Sequence, residues 1–160
     1  MYDIETRALP RRTLLAISQH VHLEGTDAFF DDAFARLRSA GPGLPGRAGI
    51  PFLIFYGEVS EDSDGPLELC RPVDGEHADP ATAQAAGAEL RVEPAHDEAY
   101  IRLALKNMNW PAMLPAAEAL EAWVSEHGRQ PAGPLRQVLI ADQRTATPDT
   151  PVCDLTLPLK

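Results

Sequence analysis

Leu67-Glu68-Leu69-Cys70-Arg71-Pro72-Val73 and Cys153-Asp154-Leu155-Thr156-Leu157-Pro158-Leu159 read as one strand written twice, acid for acid and proline for proline. Such a match calls for the rest of a duplication, because an overlooked repeat misassigns every element around it. Ahead of these strands lie two apolar runs, Pro51-Phe52-Leu53-Ile54-Phe55-Tyr56 and Leu135-Arg136-Gln137-Val138-Leu139-Ile140. Each follows a Gly/Pro-rich loop, Gly41 to Gly46 in one half and Gln130 to Pro134 in the other. Each loop in turn follows a stretch with helical spacing. The first, Asp27 to Ala40, carries Phe29, Phe30, Ala33, Phe34 and Leu37, with Thr26 as N-cap and Gly41 at its end. The second runs from Pro111 or Pro115 to His127, carries Met113, Leu114, Ala117, Leu120, Trp123 and Val124, and stops at Gly128.

Both helices are preceded by a proline and a strand, Pro10 to Ile17 and Pro94 to Ile101. The order strand, helix, strand, strand therefore occurs twice, over about 8–73 and 90–159, with residues 74–89 as a connector. Strands mixed with a single helix predict an α+β fold in which each half is an antiparallel sheet with its helix on one face. Two such halves predict a central groove where they meet, a usual home for small ligands.

The chain has 160 residues, enough for one domain with a real core, and its 44% apolar content is that of a folding sequence. The net charge of −10 and pI near 4.8 argue against direct nucleic-acid binding, which draws affinity from clustered Lys and Arg. Neither a signal-type h-region nor the roughly 18 apolar residues of a spanning helix is present, so a cytoplasmic protein away from membranes is expected. Cys70 and Cys153 stand far apart, outside zinc-type spacing, and are expected as reduced thiols. His20 and His22 share a strand face without an evident third ligand, so neither metal nor other cofactor is expected.

Several segments together resemble the GyrI-like small-molecule-binding domain, the effector-binding half of MerR- and AraC-type multidrug-sensing regulators, which also exists as a stand-alone protein. They are Glu93-Pro94 leading into Ala99-Tyr100-Ile101-Arg102, Ala119-Leu120-Glu121-Ala122-Trp123-Val124 before Gly128, Gly133-Pro134 before a strand, and the closing acid-containing strand with Pro158. The resemblance covers nearly the whole chain. It implies a groove lined by aromatics with acids at its floor, receptive to planar, hydrophobic, often cationic compounds. A carboxylate in a desolvated aromatic cleft is costly to leave unpaired, and a bound cation gains both the ion pair and the ring quadrupoles.

Family members commonly carry Glu-x-Tyr in the strand after Gly-Pro, and here Gln137 and Leu139 occupy those positions. Some relatives hydrolyse reactive DNA alkylators through a Tyr and a Glu of the groove. Losing both residues favours binding over catalysis, and no catalytic residue is assigned. Acids remain on the final strands as Glu68 and Asp154, and Phe55 and Tyr56 supply aromatics in the first half. Tyr100 stands on a strand whose neighbours Ala99 and Ile101 face the other way, and Trp110 precedes the second helix, where it could overhang a cleft. The expected ligand-binding set is thus Phe55, Tyr56, Glu68, Tyr100, Trp110, Gln137, Leu139 and Asp154. The expected function is drug sequestration or sensing, with a hydrolase using Glu68 or Asp154 with Tyr56 or Tyr100, or a protein-interaction inhibitor of a DNA-processing enzyme, as rivals.

Overall fold

The computed structural model describes residues 2–39, 50–57, 65–75, 79–109 and 112–160. The strands are β1 Glu5–Leu9, β2 Arg12–His20, β3 Phe52–Phe55, β4 Pro66–Val73, β5 Glu89–Glu93, β6 His96–Ala104, β7 Arg136–Leu139 and β8 Pro151–Leu159. The helices are α1 Thr26–Ser39, α2 Pro80–Ala85 and α3 Leu114–Glu126. The chain forms two compact units, one of Arg11–Pro94 and the other of Met1–Pro10 with Ala95–Lys160.

In the first unit the strands run β5-β2-β4-β3, all antiparallel. Ile17 lies opposite Leu69, Ser18 opposite Glu68, and Ile54 opposite Glu68 from the other side. In the second unit the order is β1-β6-β8-β7, again antiparallel throughout. Arg102 lies opposite Asp154, and Val138 opposite Asp154 from the other side. Strand, helix, strand, strand thus occurs twice with one strand order, and the fold is α+β.

Each copy opens with a further strand that the sequence did not announce. β1 precedes β2 in the chain but pairs with β6, and β5 precedes β6 but pairs with β2. The prolines explain why neither leading strand folds back on its successor. Pro10 and Pro94 supply no N–H, and each biases the residue before it, Leu9 or Glu93, toward extended backbone. The chain runs on instead of turning.

In the second unit, alternation puts Ala99, Ile101 and Leu103 of β6 and Leu155, Leu157 and Leu159 of β8 on one face, under α3. Met113, Ala116, Ala117, Leu120 and Val124 meet them, and Trp123 packs at the margin, stacked on His127 with centroids 3.9 Å apart. Burying a side chain such as Leu120 contributes about 2 kcal/mol. Pro115 sits in the first turn of α3, where its missing N–H costs nothing. Gly128, at φ 67, takes the left-handed conformation that closes the helix as the sequence suggested.

The first unit buries Leu15, Ile17, Leu53, Leu67 and Leu69 on one face, Leu14, Phe52 and Ile54 on the other, and Phe29 and Ala33 from α1. The connector carries α2, capped by Asp79, whose carboxylate accepts from the Ala81 N–H at 3.2 Å and the Thr82 hydroxyl at 2.6 Å. The Gly41–Gly46 loop, the acidic run from Glu58 to Asp64, and Trp110 lie outside the described residues.

Candidate functional site

In each unit the four strands have a second face whose chemistry centres on a buried carboxylate. In the first unit Glu68 is 4% exposed. Arg91 reaches it from β5 across the intervening strand β2, with Nη1 donating to Oε2 at 2.7 Å and Nη2 donating to Oε1. The Tyr56 hydroxyl donates to Oε1 at 3.0 Å, and Cys70 Sγ lies 3.3 Å from the same oxygen. Burial by itself raises the Glu68 carboxyl, but the bonds and charge of Arg91, with help from Cys70 and Tyr56, outweigh it and hold the group below the usual carboxylate range. Tyr56 is pushed above the ordinary phenol value by burial and by the charge of Glu68.

In the second unit Asp154 is fully buried. Arg7 reaches it from β1 across β6, with Nη1 donating to Oδ2 at 2.8 Å while Nε donates to Glu98 Oε2 at 2.6 Å. Arg7 and Arg91 are therefore the same arginine in the two repeats. On its way Arg7 stacks over the Tyr100 ring, 4.1 Å from the centroid, where the other repeat has the small Ala16 beneath its arginine. The Tyr100 hydroxyl donates to Glu5 Oε2 at 2.8 Å, a bond that raises the phenol.

One contact has no counterpart. Arg102 donates from Nε to Asp154 Oδ1 at 2.8 Å and from Nη2 to Oδ2 at 3.0 Å, whereas the residue at its place opposite Glu68 is Ser18. Burial tends to raise Asp154, but Arg102 and Arg7 outweigh it and hold the carboxyl low. Two guanidinium groups, of Arg7 and Arg102, thus pair with two buried carboxylates, Asp154 and Glu98.

The expected ligand-binding residues divide between faces. Tyr56 with Glu68, and Tyr100 with Asp154, lie on the carboxylate faces. Phe55 pairs with Leu67, on the face opposite Glu68. Gln137 and Leu139 pair with Leu155 and Cys153, on the α3 side of their sheet. Gln137 is buried there, its amide donating to Met113 Sδ at 3.4 Å. Arg7, Arg91 and Arg102 were not singled out from the sequence. A signal for two of them existed, because Glu5-Thr6-Arg7-Ala8-Leu9-Pro10 and Glu89-Leu90-Arg91-Val92-Glu93-Pro94 share Glu-x-Arg-x-x-Pro.

Among the described residues no group of three or more His, Cys, Asp and Glu side chains is placed to hold a metal, and both cysteines are free and buried. No helix among them is long and apolar enough to cross a membrane.

No family model matches the sequence, and no curated protein does. Solved structures share the fold. The EcmrR C-terminal domain is 14% identical with a TM-score of 0.77, over 100% of this chain and 98% of that one. In a complex of EcmrR with DNA the match has the same TM-score and identity and takes in 99% of this chain but 57% of the longer EcmrR chain. A hydrolase from Listeria innocua aligns at 9% identity and TM-score 0.64 over 99% and 92% of the two chains. SAV2435 bound to tetraphenylphosphonium aligns at 14% identity and TM-score 0.58 over 99% and 94%. The chain shares the fold of these domains, among them the EcmrR C-terminal domain, an effector-binding type of fold that agrees with the resemblance in its sequence.

Proposed function

We propose that this chain is a cytoplasmic two-repeat module that binds small aromatic compounds on its carboxylate faces, to sense or sequester them, without chemical turnover. The observation that carries the reading is that in both repeats a tyrosine touches the arginine that neutralises a buried acid, Tyr56 through its hydroxyl and Tyr100 through its ring. Aromatic and guanidinium planes offer stacking surface at low entropic cost, and a neutralised acid no longer demands a cationic partner. Hydrophobic and planar compounds therefore suit these faces, and charge is a secondary selector. SAV2435, solved with tetraphenylphosphonium, supports small-molecule binding for this fold, and the free buried thiols agree with a reducing compartment. Tyr56, Glu68, Tyr100 and Asp154 are the contacts proposed on these faces, whereas Phe55, Gln137 and Leu139 point to the opposite ones and would serve a ligand bound there, and Trp110 lies outside the described residues.

The hydrolase reading draws on the hydrogen-bonded Tyr56 and Glu68 and on the Listeria innocua neighbour. The chemistry opposes it. A carboxylate saturated by Arg91, Tyr56 and Cys70 is a poor base, and a phenol raised above its ordinary value supplies little phenolate near neutrality. A thermal-shift and fluorescence screen of neutral and cationic aromatic dyes, with mass analysis of each compound after incubation, tests the proposal. Binding with recovery of intact compound is expected, and turnover lost in Glu68→Gln would refute it.

A further inference from the structure

Comparison of the two repeats isolates Arg102. Arg7 and Arg91 do the same work in both copies, each tying a leading strand to a buried acid two strands away. Arg102 does not recur, and the first repeat keeps its acid buried and ion-paired with Ser18 in that place. Glu98 does not recur either, Leu14 standing in its place, so the second repeat holds one more buried acid and one more guanidinium than the first. The Arg102 side chain is also 53% exposed while the carboxylate it grips is fully buried, so the arginine lies between Asp154 and solvent. Its guanidinium carbon lies 6.0 Å from the Tyr100 centroid, within range of the ring's quadrupole.

We propose that the Arg102 guanidinium is a tethered occupant of a cation site floored by Asp154 and walled by Tyr100, so that a ligand cation reaches Asp154 only by displacing it. Arg7 and Arg102 pair with Asp154 and Glu98, and withdrawing Arg102 leaves Arg7 alone against two buried carboxylates. Such an arrangement draws a replacement cation strongly. Displacement is feasible because a half-exposed arginine stays solvated when it swings out. The ligand class is a planar or aromatic-tolerant cation of guanidinium or amidinium type, able to repeat the two-point contact with Asp154. Arg102 is then a specificity-determining residue that turns an acidic floor into one that rejects weak cations and admits neutral aromatics. The inference deepens the small-molecule reading, resting on it only in placing ligands on this face.

The test is calorimetric titration of the full chain and of Arg102→Ala with methylguanidinium and with neutral, nearly isosteric methylurea, folding being checked by circular dichroism. The expected result is no saturable methylguanidinium binding to the unaltered chain at millimolar concentration, and affinity at least about tenfold higher in Arg102→Ala. Methylurea should bind neither protein, and adding Asp154→Asn to the Arg102→Ala chain should abolish the gain. A folded Arg102→Ala chain that binds methylguanidinium no better than the unaltered one overturns the inference. Should the variant not fold unaided, folding restored by methylguanidinium and not by methylurea is the expected result, and restoration by neither overturns it. Absence of dye binding in the screen above would sink the small-molecule reading without touching this titration, so the two claims fail separately.

Discussion

Arg91 and Glu68 are joined across a whole intervening strand, Nη1 to Oε2 at 2.7 Å, with β2 running beneath the arginine. The pair ties the exchanged leading strand β5 to the centre of its sheet, and it neutralises the carboxylate that a ligand cation would otherwise seek.

Removing the arginine should therefore cost more than a surface ion pair does. Arg91→Ala strands a carboxylate that is nearly fully buried, and breaking such a pair costs about 3–5 kcal/mol. The partial exposure of Arg91 brings the expectation toward about 2–3 kcal/mol, because water reaches the gap. Urea denaturation of Arg91→Ala and of Arg91→Ala with Glu68→Gln checks this. The second variant should recover part of the loss.

Acid should unfold the chain through these same groups. Glu68 and Asp154 have folded pKa values held below their unfolded ones, so their stabilisation is fully present above the unfolded values, about 4, and is lost as pH falls through the folded values. Unfolding free energy should thus be level near neutrality and decline below about pH 5. Glu68→Gln should lower the plateau and flatten the decline, which chemical denaturation at a series of pH values reads directly. A decline of unchanged steepness would move the acid sensitivity to other carboxylates.

The thiols give an independent check on packing. Burial pushes Cys153 up to about 12, and the neighbouring Asp154 charge adds to the shift. A thiol needs its thiolate to react, so iodoacetamide at mildly alkaline pH should leave Cys153 unmodified in the native chain and label it fast in denaturant. Mass analysis of the labelled peptide reports the outcome.

Much of the fold was legible in the sequence because the repeats were marked by strong local signals. The apolar runs at Pro51 to Tyr56 and Leu135 to Ile140, the helical stripe with Leu120 and Val124, and the matched acids and prolines of the last strands all survive as elements. β1 escaped because Glu5-Thr6-Arg7 shows no apolar alternation, and β5, although Glu89-Leu90-Arg91-Val92-Glu93 does alternate, is a short edge strand that buries little. The site was legible only as its acids and aromatics. Which face each residue takes depends on register, and a step of one residue moves Phe55 away from Tyr56 and Gln137 away from Asp154. The arginines that neutralise the acids come from the exchanged strands and from β6, and no local pattern announces a partner two strands away.

The tyrosines allow the central claim to be tested in one experiment, since the chain has three, Tyr2, Tyr56 and Tyr100. Carbon-13 labelling of tyrosine gives one ring signal set for each, and a neutral aminocoumarin titrated into the labelled chain reports where it binds. The account predicts saturable shifts of the Tyr56 or Tyr100 ring signals with Tyr2 unmoved, and the coumarin recovered intact. Saturable coumarin binding that leaves both Tyr56 and Tyr100 unshifted would contradict it.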